Sequence, residues 1–117
     1  PKTLIPKYIS SLGVDVEHDL NRALAQSDVA NMLRIQNERL DQSYFPSTRE
    51  YVMQYGLTDQ RLSGLERIPL IMHPGPINRG VEITSSIADS EHSIILEQVA
   101  NGVAIRMAVM YLLAGKQ

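Results

Sequence analysis

The chain has 117 residues, 44% apolar and 21% charged, with 11 basic against 13 acidic side chains and a net charge of −2. That is one domain's worth of polypeptide, long enough to bury a core, and the absence of a basic stripe argues against a nucleic-acid partner. With no cysteine there is no disulfide frame, thiol nucleophile or thiolate-bound zinc; His18, His73 and His92 lack metal-site spacing, so neither metal nor cofactor is expected.

Residues 3–12, TLIPKYISSL, predict a short helix stopped by Gly13. VDVEH, 14–18, alternates like a half-buried strand, and Asp19 is a fair N-cap for the helix LNRALAQ. DVANMLRI, 28–35, is an apolar run that suits an inner strand of a parallel sheet. Residues 36–47 are polar and turn-rich. Ser47 with Glu50 has capping-box spacing and promises a helix closed by Gly56. Thr58 to Leu65 reads as another helical stretch, IPLIMH (68–73) as a third strand, and 77–90 as a long loop. A last helix, capped by Asp89 or Ser90, is predicted from Glu91 to Leu113, with Gly115 as its stop. The run 94–113 is the only membrane candidate. It holds Glu97, Gln98, Asn101 and Arg106, and charges at that depth cost several kcal/mol each, so it is expected to be a buried helix of a cytoplasmic protein.

Strands alternating with helices predict an α/β fold with a parallel sheet. The chain starts at Pro1 without an initiator Met or a signal peptide's zones, and its first helix has no strand before it. Both features suggest a piece of something longer.

In open parallel sheets ligands bind beyond the carboxyl ends of the strands. Two loops leave strands in that way. In LRIQNER, Arg34 and Gln36 would share a side if the chain stays extended; an Arg fork grips a carboxylate with two hydrogen bonds, and Gln adds a donor or acceptor. Glu38 would steady the fork and Arg39 anchor the loop; the bland alternative is a solvated charged loop with weak ion pairs. In HPGP, Pro74 and Pro76 remove two backbone donors, leaving a stiff edge of carbonyl oxygens suited to an amide NH₂ group. Gly75 would admit a ligand close to the backbone, and Gly75–Pro76 is a candidate cis bond. The alternative is a stiff strand-ending turn with His73 as a satisfied, half-buried side chain. Arg79 and Glu82 read as a surface pair without function.

MLRIQNERL followed by IMHPGPINRGVEI and SIADSEHSIILEQVANGVAIRMAVMYLL resembles the aspartate carbamoyltransferase family, over essentially the whole chain. The resemblance is to the latter part of the aspartate-binding domain plus the final helix. It implies a Rossmann-like parallel sheet with flanking helices, truncated, with residues 1–90 in the L-aspartate-binding α/β domain. Residues 91–117 would form a long helix that packs back on an absent carbamoyl-phosphate domain.

The implied reaction transfers the carbamoyl group of carbamoyl phosphate to L-aspartate, a step of pyrimidine biosynthesis. Arg34 and Gln36 match aspartate ligands; Pro74, Gly75 and Pro76 match the turn whose main chain meets the carbamoyl group. Glu38, Arg39 and His73 are assigned supporting roles, and no residue here is assigned as catalytic. The family's phosphate loop and a subunit-crossing lysine would lie N-terminal to Pro1, so the piece alone is expected to be inactive. The implied full-length enzyme is a catalytic homotrimer, with regulatory or dihydroorotase-like subunits as further partners. An ornithine carbamoyltransferase-like enzyme is the nearest rival, and a non-catalytic α/β interaction module is the rival of a different class.

Overall fold

The computed structural model describes residues 5–35 and 47–114. Within them the architecture is α/β, with a parallel strand pair flanked by helices. The chain enters through a 3₁₀ turn, Ile9–Leu12, closed by Gly13 in the left-handed conformation at φ 72°. The strand expected at 14–18 does not form. Val14 and Val16 stay exposed, and the Glu17 carboxyl accepts the amides of His18 (2.7 Å) and Asp19 (2.9 Å), turning the chain directly into the next helix. That helix, α1 (Leu20–Ala25), is capped by Asp19, whose side chain accepts from Asn21 and Arg22.

Strand β1 (Val29–Asn31) pairs in parallel with β2 (Leu70–Met72), with Ala30 opposite Ile71. Both strands are shorter than their apolar runs; one further bond, Met32 N–H to the Met72 carbonyl at 2.8 Å, extends the ladder. Between them lie α2 (Thr48–Tyr55), capped by Ser47, and α3 (Asp59–Ser63), capped by Thr58. The loop predicted for 77–90 contains a short helix, α4 (Ser85–Ala88).

The last helix, α5 (Ile95–Ala114), begins four residues later than expected. The reason is sheet pairing. The Ile71 N–H donates to His92 and the Ile71 carbonyl accepts from Ile94, so residues 92–94 line the free side of β2 before the helix can start. The two expected caps are used elsewhere: Asp89 holds Arg79, and the Ser90 hydroxyl donates to the Ile87 carbonyl.

The core gathers at this pairing. Leu57, Ile71 and Ile83 are fully buried, with Leu24, Leu62 and Ile87 around them. Burial of each large aliphatic contributes about 1.5–3 kcal/mol. Helix α5 is not buried within the described residues: only Ile95 is, while Leu96 and Tyr111 are 85% and 80% exposed. By length and composition alone its 20 residues would suffice to cross a membrane.

Gly56 ends α2 with φ −67°, so conformational freedom is not why it is glycine. A Cβ there would sit 2.7 Å from the Val52 carbonyl oxygen and 3.0 Å from that of Val81, where α2 meets the segment leading to Glu82. Gly56→Ala is expected to lower unfolding stability by about 1–3 kcal/mol, the range for overpacking. At Gly64 the nearest atom is 3.6 Å away, and Gly64→Ala should be neutral or stabilising by up to about 1 kcal/mol. Chemical denaturation of the two variants side by side checks the contrast.

Candidate functional site

Because β1 and β2 are adjacent and parallel, the segments that follow them leave from the same sheet edge. Residues 32–35 and the turn 73–76 are therefore neighbours, and the Asn78 side-chain amide donates to the Ile35 carbonyl at 3.1 Å, tying one exit to the other. Arg34 stands half-buried on the first exit, with its Nε shielded from solvent. Gln36, Glu38 and Arg39 lie outside the described residues.

The proline turn has two backbone donors in residues 73–76, and both are engaged internally. The His73 N–H donates to Gln98 Oε1 of α5 (2.7 Å), and the Gly75 N–H donates to His73 Nδ1 (2.9 Å). Among the described residues no hydrogen bond uses the carbonyl oxygens of Pro74, Gly75 or Pro76. The Gly75–Pro76 bond is cis, as its composition suggested. The fold itself also calls for glycine at 75. Its φ is +68°, which favours glycine, and a Cβ would point at Val99 of α5, 3.2 Å from its methyl group.

His73 is fully buried, not half-buried, and so is Glu82. The surface pair expected between Arg79 and Glu82 does not exist. Arg79 instead forms a two-pronged bridge to Asp89, 2.6 and 2.8 Å, which raises the guanidinium pKa and holds the carboxyl below its usual range, each chiefly through the shared hydrogen bonds. Glu82 turns inward: its Oε1 accepts the Asn78 N–H at 2.5 Å and faces His73 Nε2 at 3.5 Å. Since Nδ1 accepts a hydrogen bond, the imidazole proton belongs on Nε2, toward Glu82.

Burial pushes the His73 pKa down, with Glu82 pulling against it. Tyr51, half-buried on α2, has its hydroxyl pushed up, first by burial and then by the negative charge of Glu82. The backbone around Glu82 is clamped from the α2 side, because the Leu57 N–H donates to the Glu82 carbonyl and the Thr84 N–H to the Leu57 carbonyl.

Sequence reasoning missed three members of this arrangement: Asn78, Glu82 and Gln98. One available signal was a polar Gln98 near the start of a mainly apolar helix. Glu82 offered no such signal, since an acid between Val81 and Ile83 reads as the outward position of an alternating segment.

A groove of about 720 Å³ lies elsewhere, lined by residues of α1, α2 and α3 such as Asn21, Met53 and Arg61. Arg61 fills its polar side by donating to Asn21 and to the carbonyls of Met53 and Gln54. It carries no titratable cluster, and we place no chemistry there. Among the described residues no group of histidines and acids could hold a metal ion.

The profile of the Asp/Orn binding domain of aspartate/ornithine carbamoyltransferases matches residues 7–113. The chain therefore belongs to the aspartate/ornithine carbamoyltransferase family, as its Asp/Orn binding domain. Among its relatives are the aspartate carbamoyltransferase catalytic subunits of Christiangramia forsetii, 70% identical over 99% of this chain, and of Flavobacterium psychrophilum, 71% identical over 99%. The chain spans 37% and 38% of the lengths of those two proteins.

Solved structures share the fold. Aspartate transcarbamoylase from Trypanosoma cruzi in complex with N-(phosphonacetyl)-L-aspartic acid matches with a TM-score of 0.70 at 22% identity, covering 95% of this chain and 37% of that one. Ornithine carbamoyltransferase from Pyrococcus furiosus matches with a TM-score of 0.69 at 22% identity, covering 86% and 32%.

The depressed His73 pKa has a consequence for stability. Unfolded chain takes up a proton near the ordinary histidine value of 6.5, whereas the folded chain resists until a lower pH. The stabilisation is thus complete above about pH 6.5 and is lost as pH falls toward the folded-state value. The exposed acids Glu17, Asp59 and Asp89, all held low by hydrogen bonds, act only in a more acidic range. The melting temperature is expected to fall as the pH drops below about 6.5, and His73→Asn should flatten that slope. Thermal melts of both proteins across that range provide the check.

Proposed function

We propose that this chain is the aspartate-binding portion of an aspartate carbamoyltransferase catalytic chain, which moves the carbamoyl group of carbamoyl phosphate to the amine of L-aspartate. The observation that carries the reading is the sheet edge, where Arg34 and a turn with no spare backbone donor leave adjacent parallel strands. A carbamoyl NH₂ needs acceptors, and the carbonyls of Pro74, Gly75 and Pro76 supply them without a competing N–H. An aspartate carboxylate needs a fork of donors, which Arg34 supplies, with Gln36 beside it in sequence.

The chemistry asks for positioning. The amine nitrogen attacks the carbamoyl carbon, a tetrahedral species forms, the bond to the phosphate oxygen breaks, and the amine gives up a proton as phosphate departs. Carbonyls aimed at the NH₂ group hold the electrophile in one orientation, and a gripped carboxylate holds the nucleophile against it. Glu38, Arg39 and His73 support these contacts. Helix α5 returns to the carbamoyl-phosphate domain, which covers its apolar surface. The complete enzyme is a cytoplasmic catalytic homotrimer, and the sheet seen here is part of a Rossmann-like domain.

An ornithine substrate fits less well, because its side-chain cation would have to be accommodated beside Arg34. A non-catalytic module gives no account of two chemically complementary loops at one edge.

In the full-length chain carrying this segment, carbamoyl phosphate should be consumed with aspartate and not with ornithine. Arg34→Ala should lower kcat/KM for aspartate by about 100-fold or more, since each charge-assisted hydrogen bond contributes about 1.5–3 kcal/mol. Residues 1–117 alone should show no turnover. Preference for ornithine, or an unchanged kcat/KM in the variant, would contradict the assignment.

A further inference from the structure

The buried acid at position 82 stands outside every role described so far for substrate contact. Its surroundings give it one. Glu82 Oε1 receives the Asn78 N–H at 2.5 Å, and the same oxygen faces His73 Nε2 at 3.5 Å. His73 in turn receives the Gly75 N–H on Nδ1 at 2.9 Å, an i to i+2 contact of the kind that shapes Asx turns. One carboxyl oxygen therefore holds the Asn78 amide directly and lies 3.5 Å from the imidazole that accepts the Gly75 amide, a close polar contact in which His73 Nε2 makes no hydrogen bond. Both His73 and Glu82 are fully removed from bulk solvent.

The tautomer makes the relay directional. A proton on Nε2 pointing at Glu82 leaves Nδ1 free to accept from Gly75; a proton on Nδ1 would oppose that N–H instead. The groups facing the imidazole are the Glu82 carboxyl, the Gly75 amide and, at its own backbone, Gln98 of α5; Tyr51 of α2 stands near enough to Glu82 to feel its charge. The consequence reaches the second loop as well. Asn78, whose amide Glu82 holds, sends its side chain to the Ile35 carbonyl, next to Arg34.

We infer that Glu82 is a positioning residue that, through His73 and the Asn78 amide, fixes the carbonyls of the 74–76 turn toward the carbamoyl group and sets their distance from the Arg34 exit. This rests on the carbamoyl-transfer reading. Misplacing a reacting group by about 1 Å costs on the order of 100-fold in rate, so loosening this turn should be visible in kcat.

The test uses the full-length chain with carbamoyl phosphate and aspartate, comparing Glu82→Leu, Glu82→Gln and His73→Asn with the unsubstituted protein. Glu82→Leu is expected to lower kcat by about 10- to 100-fold while remaining folded by circular dichroism at the assay temperature. Glu82→Gln keeps an oxygen for both donors and should recover most of the loss. His73→Asn retains an acceptor for Gly75 but not the contact with Glu82, so it should fall between them. In it, Glu82→Leu should cost less than in the unsubstituted chain.

Amide hydrogen exchange supplies a readout independent of turnover: protection at Gly75 and Asn78 should drop in Glu82→Leu and return in Glu82→Gln. If Glu82→Leu does not fold, His73→Asn and Glu82→Gln carry the comparison. A folded Glu82→Leu with kcat within twofold of the parent, or unchanged exchange at both amides, overturns the inference. In that case the unsubstituted enzyme still turns over aspartate, whereas failure of the functional reading shows as no carbamoyl transfer by the unsubstituted chain itself.

Discussion

A carboxyl group without access to water sets the terms for this molecule. Burying an acid is costly by several kcal/mol unless its lone pairs find donors; Glu82 meets that demand only in part, since Oε1 accepts the Asn78 N–H and stands 3.5 Å from His73 Nε2, while Oε2 has no hydrogen-bond partner among the described residues. Because those donors belong to the turn after β2, satisfying the acid also determines where that turn can be. The same arrangement settles which ring nitrogen of His73 faces inward, and so what becomes of the Gly75 N–H. What remains for solvent or a ligand at the turn is a set of acceptors.

The strand pairing supplies the second half of the geometry. Parallel neighbours send their chains out at one edge, and here the partner of Ile71 on its other side is the segment 92–94. That segment leads directly into α5, whose Gln98 reaches back to the His73 amide. The helix is thus joined to the proposed site at its first turn, while most of its length stands away from the core with apolar side chains exposed.

Local chemistry was easier to read in the sequence than tertiary pairing. Asp19 and Ser47 cap helices where their types and spacings suggested, because an N-cap depends on a few adjacent atoms. The parallel order and the shared edge of the two exits followed from the alternation of strand and helix. VDVEH misled because alternation marks a strand only when a neighbour exists, and the acid inside it found nearer amides to accept. The start of α5 was misjudged because Asp89 and Ser90 have cap-like chemistry, yet Asp89 is claimed by an arginine ten residues earlier. Glu82 was the hardest: an acid flanked by Val81 and Ile83 reads as the solvent face of an alternating segment. Only the buried histidine nine residues before it reverses that reading.

Two loops sharing one ligand pair are the central requirement, and a crystal structure of the full-length chain with bound N-carbamoyl-L-aspartate tests it most directly. The ureido NH₂ should donate to carbonyl oxygens of the 74–76 turn, with Arg34 forked on a carboxylate of the same molecule. A ligand that touches only one of the two exits, or that binds away from this sheet edge, would contradict it.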